Sequence, residues 1–131
     1  MPEVDFLYSV KTNPFAPVLK TVAEQGFGAD VASANEVLLA QRAGIPYDKI
    51  YYSARGKTLQ DIQKAWGKCT IIADSLSELE RLEQCAAAKN DRIAVGVRVN
   101  PDFSMSGTSA VPGKFGIDEE QLKTAIYAFN I

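Results

Sequence analysis

The sequence predicts an α/β fold built on a parallel sheet, and two observations carry that expectation. Short runs rich in β-branched and aromatic residues open at Phe6, Gly28, Ile50, Ile71 and Ile93, so that a new run begins every 21 or 22 residues. Between them the apolar positions fall at helical spacing, and one strand, one helix and two short loops fill such a period. Parallel neighbours need crossover connections, and helices supply these while covering the sheet.

The elements follow in order. After the first run, Phe6 to Val10, the segment Ala16 to Gln25 puts Val18, Leu19, Val22 and Ala23 on one stripe and stops at Gly26, a residue type that ends helices. Gly28 to Ala32 leads into Ala34 to Ala43, where Ser33 is expected to cap the helix and Glu36, three residues on, to complete a capping box. Ile50 to Ser53 precedes a helix over Thr58 to Trp66 with Leu59, Ile62 and Trp66 inward. Ile71 to Asp74 precedes Ser75 to Ala88, with Leu76, Leu79, Leu82 and Ala86 on its apolar face. The fifth run is Ile93 to Val99, and a last helix is expected from about Asp118 through Ile126. Five such units suit either a doubly wound open sheet, complete at this length, or part of a (β/α)8 barrel, which typically takes about 250 residues.

With 131 residues, 47% of them hydrophobic and 23% charged, the chain has the profile of one soluble globular unit. Its 14 basic and 16 acidic residues are scattered, which gives nucleic acid and anionic membrane no extended basic surface. Cys69 and Cys85 lie far apart in a chain without histidine, so neither a disulfide framework nor a metal site is expected, and both read as reduced, buried thiols. Neither a signal peptide nor a membrane span is visible, and a cytoplasmic location is the default expectation. The lack of histidine excludes Ser-His-Asp and Cys-His catalysis within this chain and leaves lysine, carboxylate, tyrosine, cysteine or a cofactor to move protons.

In parallel α/β folds, ligands meet residues just past the carboxyl ends of strands. Those positions hold Lys11, Thr12 and Asn13, then Asp30 and Ser33, then Ser53, Arg55 and Lys57, then Asp74 and Ser75, then Arg98 and Asn100. Lys11 directly follows Tyr8-Ser9-Val10, at the mouth of a strand where desolvation and a neighbouring cation favour the neutral amine that forms a Schiff base. From position alone, a lysine after a strand is more commonly a solvated surface group. The Ser-, Gly- and Thr-rich stretch Pro101 to Gly113 reads as an active-site loop.

The words Tyr8-Ser-Val-Lys11-Thr-Asn13-Pro14, Gly28-Ala-Asp30-Val-Ala-Ser33-Ala-Asn-Glu36, Gly44-Ile-Pro46, Gly56-Lys57-Thr58, Asp74-Ser75, Val97-Arg98-Val99-Asn100-Pro101 and Lys114-Phe115-Gly116-Ile117 stand in an order that resembles the diaminopimelate and ornithine decarboxylases. The resemblance runs from about Phe6 to Ile117, and it implies a partial TIM (β/α)8 barrel of about five consecutive β/α units. It also implies pyridoxal 5'-phosphate as cofactor, with Lys11 as the Schiff-base lysine and Asp30 and Arg98 beside it as a carboxylate-guanidinium pair. By the same resemblance residues 1–131 form a single pyridoxal-phosphate-binding barrel domain, truncated at both ends and without the family's C-terminal β domain. An amino acid is the implied substrate, a homodimer the implied assembly and the diaminopimelate-like branch the favoured one, the isolated chain being expected to be inactive. A non-catalytic, antizyme-like regulatory module and an alanine-racemase-like enzyme are the alternatives.

Overall fold

A computed structural model describes residues 3–101 and 116–128. Strands β1 (Leu7–Ser9), β2 (Gly28–Val31), β3 (Ile50–Tyr52), β4 (Thr70–Ala73) and β5 (Val95–Val97) alternate with helices α1 (Ala16–Glu24), α2 (Ala34–Arg42), α3 (Leu59–Ala65) and α4 (Leu76–Lys89). The five strands form one sheet in the order β1-β2-β3-β4-β5, and every neighbouring pair is parallel. This order decides between the two expected architectures. A doubly wound sheet reverses its strand order at a switch point, whereas here the chain winds one way throughout, as it does in the wall of a (β/α)8 barrel.

The fifth apolar run departs from expectation. Instead of one strand from Ile93 to Val99, the chain makes β5 and then a separate strand β6 (Val99–Asn100), which pairs in parallel with β7 (Ile117–Asp118) ahead of α5 (Glu119–Ala128). Arg98 is the reason: its N–H donates to the Ala73 carbonyl at 2.9 Å, while its own carbonyl accepts from Ile117 N–H at 2.8 Å. One residue thus divides its backbone groups between two sheets. Gly116 permits the approach, because it has a φ of +91° and a Cβ there would lie 2.9 Å from the Arg98 carbonyl oxygen.

Side-chain alternation along the strands gives the sheet two unlike faces. Ala29, Val31, Ile50, Tyr52, Ile71 and Ala73 are buried beneath the helices with Leu19, Val37, Ala40, Ile62, Leu79 and Leu82. The intervening residues Asp30, Tyr51, Thr70 and Ile72 are only half-buried on the opposite face. That face leads to the candidate site.

The helix starts follow the expected chemistry with one shift. Ser33 Oγ accepts from Glu36 N–H at 3.2 Å, but Glu36 Oε2 reaches back to the N–H of Ala32, one residue before the cap, at 3.0 Å. The complete reciprocal box belongs to Thr58 and Asp61, each taking the other's backbone N–H. Cys69 and Cys85 are free and buried, as expected. Among the described residues no helix is long and apolar enough to cross a membrane, and no cluster of ligating side chains could hold a metal ion.

Candidate active site

A cleft of about 540 Å³ opens at the carboxyl ends of the strands, with Lys11, Asp30, Ser53, Ala54, Arg55 and Arg98 on its walls. A larger groove, about 770 Å³, lies between α1 and α2 on the helical side, where Lys20 and Arg42 are the polar side chains among the described residues that line it. The smaller cleft is the chemically furnished one. It brings together Lys11, Asp30 and Arg98, which lie 87 positions apart at their extremes in sequence.

Lys11 sits in a 3-10 turn, Val10–Thr12, immediately after β1. Buried Val10 anchors the turn, Thr12 Oγ1 donates to Ser9 O at 2.6 Å, Asn13 N–H donates to Val10 O at 3.1 Å and the Tyr8 hydroxyl donates to Asn13 O at 3.2 Å. The backbone is therefore fixed on both sides of a side chain that stays exposed, contrary to the desolvated strand mouth expected of it. Among the described residues its ammonium enters no hydrogen bond or ion pair.

The expected Asp30–Arg98 pair is not formed. Arg98 Nη1 lies 2.9 Å from Asp74 Oδ1 as an ion pair without the alignment of a hydrogen bond, whereas Asp30 Oδ1 accepts a short hydrogen bond from Ser53 Oγ. Asp74 directly follows β4, the strand next to β5, while Asp30 lies within β2, three strands from β5, so strand order favours the nearer carboxylate. Each cleft group consequently has its own holder: Ser53 for Asp30 and Asp74 for Arg98.

Other strand-end residues separate into cleft and scaffold. Ser33 and Ser75 cap α2 and α4, and the Asn13 side chain accepts from Phe15 N–H at 3.1 Å. The segment 102–115, with Lys114 and most of the expected active-site loop, lies outside the described residues. Lys57 was expected among the polar strand-end residues, yet it is 1% exposed. Its ammonium donates to Ala54 O at 2.5 Å, Ile72 O at 2.6 Å and Glu78 Oε2 at 3.0 Å, which uses all three of its protons. Nothing in the spacing of Lys57 and Glu78, 21 residues apart, marks them as partners; only the fold brings them together.

Two buried groups on the helix side have displaced acidities. Burial pushes the Tyr52 hydroxyl up to about 12, with the carboxylates of Asp61 and Glu78 adding to the effect, and burial raises the Cys69 thiol to about 12 despite the opposing charge of Lys57. Neither is available as a nucleophile near neutral pH.

Pyridoxal phosphate requires an accessible amine for its aldehyde and cationic groups for its anionic oxygens, and the cleft has both in Lys11 and the guanidinium groups of Arg55 and Arg98. The residues present fit the cofactor.

Comparison with known proteins agrees with this fit. Residues 1–130 match the family described as "Pyridoxal-dependent decarboxylase, pyridoxal binding domain". The L-glutamyl-[BtrI acyl-carrier protein] decarboxylase of Niallia circulans is 35% identical over 97% of this chain and 31% of its own length. The diaminopimelate decarboxylase of Zymomonas mobilis is 36% identical over 90% of this chain and 30% of its own length. Among solved structures, diaminopimelate decarboxylase from M. jannaschii in complex with L-lysine superposes with a TM-score of 0.83 at 27% identity, covering 94% of this chain and 31% of that one. The chain thus spans about a third of the length of the relatives it matches, and by its sequence profile, its one-way barrel wall and its cleft it belongs to the pyridoxal-dependent decarboxylases, within their pyridoxal-binding domain.

Proposed function

We propose that this chain supplies the cofactor-bearing wall of an amino-acid decarboxylase of the diaminopimelate-like branch, with Lys11 as the covalent attachment point for pyridoxal phosphate. The observation that carries this reading is the contrast between two lysines at one end of one sheet. Lys57 is buried with its protons committed, and Lys11 is exposed on a fixed turn in a cleft with two guanidinium groups. An amine that must form a bond to an incoming aldehyde has to be reachable, and of these two lysines Lys11 is the reachable one.

When bound, pyridoxal phosphate supplies an electron sink for the pair left behind as a carboxylate departs as carbon dioxide. The chain's own residues bind and orient. Arg98, held by Asp74, and Arg55 present positive charge to the anionic groups of cofactor or substrate; Asp30, held by Ser53, places a carboxylate on the opposite wall. Lys11 Nζ is a cleft amine that could hold or release a proton once the cofactor is bound. The diaminopimelate-like branch is supported by the relatives from Zymomonas mobilis and M. jannaschii. Assembly as a homodimer belongs to the same reading, supported by the exposed apolar side chains of Leu7 on the edge strand β1 and of Val4 and Phe6 just before it. So does a cytoplasmic setting, which suits two free, buried thiols.

The test is titration of the chain with pyridoxal phosphate, followed by absorbance, borohydride trapping and mapping of the modified lysine. A single adduct at Lys11, absent in Lys11→Ala and formed without release of carbon dioxide from added diaminopimelate, is the expected result. Labelling spread over surface lysines, or an adduct that survives Lys11→Ala, overturns the assignment.

A further inference from the structure

We infer that the buried Lys57–Glu78 pair is the positioning device of the cleft, fixing the β3 wall and the β4 wall relative to each other so that Arg55 and Arg98 face one ligand. The inference rests on the cofactor reading above and names residues that contact no ligand themselves.

The connections are specific. On one side, Lys57 Nζ binds the carbonyl of Ala54 at 2.5 Å, and Ala54 lies between Ser53 and Arg55 on the cleft wall. On the other, the same nitrogen binds Ile72 O at 2.6 Å on β4, and Glu78 Oε2 accepts from the N–H of Asp74 at 2.9 Å, the residue whose carboxylate holds Arg98. The clasp is closed twice more: Glu78 Oε1 accepts from Lys57 N–H at 3.1 Å, and Arg81 Nη1 donates to Lys57 O at 3.2 Å. Both charged side chains are almost fully buried, at 0% and 1% exposure.

A pair introduced for stability alone is an unexpected choice here, because desolvating two charges offsets most of their attraction, and an apolar pair of similar volume commonly does as well. What an apolar pair cannot do is hold four backbone groups, two on the loop after β3 and two in and just after β4, at hydrogen-bond distance. The targets of the clasp lie on the loop after β3 and at the end of β4, next to cleft residues, and this placement points to orientation of the site. Outer groups that orient ligand-contacting ones are worth about ten- to a hundredfold in affinity at metal sites, and the same scale is expected here.

The decisive experiment compares the parent chain with Lys57→Met/Glu78→Gln, which removes both buried charges while keeping their approximate volume. Three readouts are taken: circular dichroism for folding, amide hydrogen exchange over residues 53–57 and 72–75, and the pyridoxal phosphate concentration that half-saturates trapping at Lys11. The expected result is a folded variant with faster exchange confined to those two segments, unchanged protection in β2 and α1, and half-saturation raised about tenfold or more. A folded variant with parental exchange in both segments, or with loosened segments and parental half-saturation, overturns the inference. If the double variant does not fold, Glu78→Gln alone, which keeps the Lys57 contacts to Ala54 and Ile72, must show the same local loss of protection in smaller measure; parental exchange there overturns the inference. If the parent itself takes up no cofactor at Lys11, the proposed function fails, while the exchange comparison still decides whether the pair clamps the two walls.

Discussion

Arg98 and Asp74 meet at 2.9 Å across neighbouring strands, and the two are unequally exposed: the Arg98 side chain keeps 35% of its surface in solvent, the Asp74 side chain 9%. Removing either partner therefore has very different consequences. Arg98→Ala strands a carboxylate that water barely reaches, for a loss of about 2–3 kcal/mol, while Asp74→Ala leaves a guanidinium that already has access to water, for about 1 kcal/mol. Urea unfolding of the two variants checks the order, and equal losses would show that the pair shares its burial evenly.

The two strand-end lysines should separate under amine-directed labelling. Lys11 is exposed and should acetylate readily in the native chain, whereas Lys57 has all three protons committed and should be labelled only after unfolding. Mass-spectrometric mapping of labelled peptides with and without denaturant gives the comparison. Native labelling of Lys57 would mean that its clasp opens on the timescale of the reaction.

Gly28 is required by contact rather than by backbone angle. A Cβ on this residue would run into the carbonyl oxygen of Lys49 and Cδ2 of Leu7 at 2.6 Å. The leucine end can swing away, but the carbonyl belongs to the turn that feeds β3, so Gly28→Ala has to displace β2 against its neighbour. A loss of about 1–3 kcal/mol is expected by thermal or urea unfolding. Because Asp30 lies two residues along the same strand face, the variant should also weaken cofactor capture at Lys11.

Periodicity made most of this architecture legible. Each of the first four strands lies within a residue of its apolar run because β-branched and aromatic residues were bounded by glycines and capping serines, as at Gly28–Val31 and Ser75. The break at Arg98 was not legible, since it depends on backbone groups of Ala73 and Ile117 that are distant in sequence. In the site, position after a strand was enough to bring Lys11, Asp30 and Arg98 to one cleft. It was not enough to pair them, because Asp74 competes for Arg98 from an adjacent strand and Ser53 occupies Asp30. Lys57 illustrates the general limit: a lysine beside Gly56 in a loop looks solvated until the fold closes Glu78 over it.

Stability should decline in alkali from about pH 9, and Tyr52 and Cys69 set the window. Their folded values, about 12 for each, lie above the ordinary 10.0 of a tyrosine and 9.0 of a cysteine. In the unfolded chain both ionise at their ordinary values, so from about pH 9 to about pH 12 the unfolded state binds fewer protons than the folded one, and stability falls as pH rises. The contribution is fully present below the unfolded values and is lost as pH climbs through the folded ones. Tyr52→Phe and Cys69→Ala each remove one of these groups, and each should flatten the fall in melting temperature measured from about pH 8 to about pH 11. An unchanged slope in both variants would place the alkaline instability elsewhere in the chain.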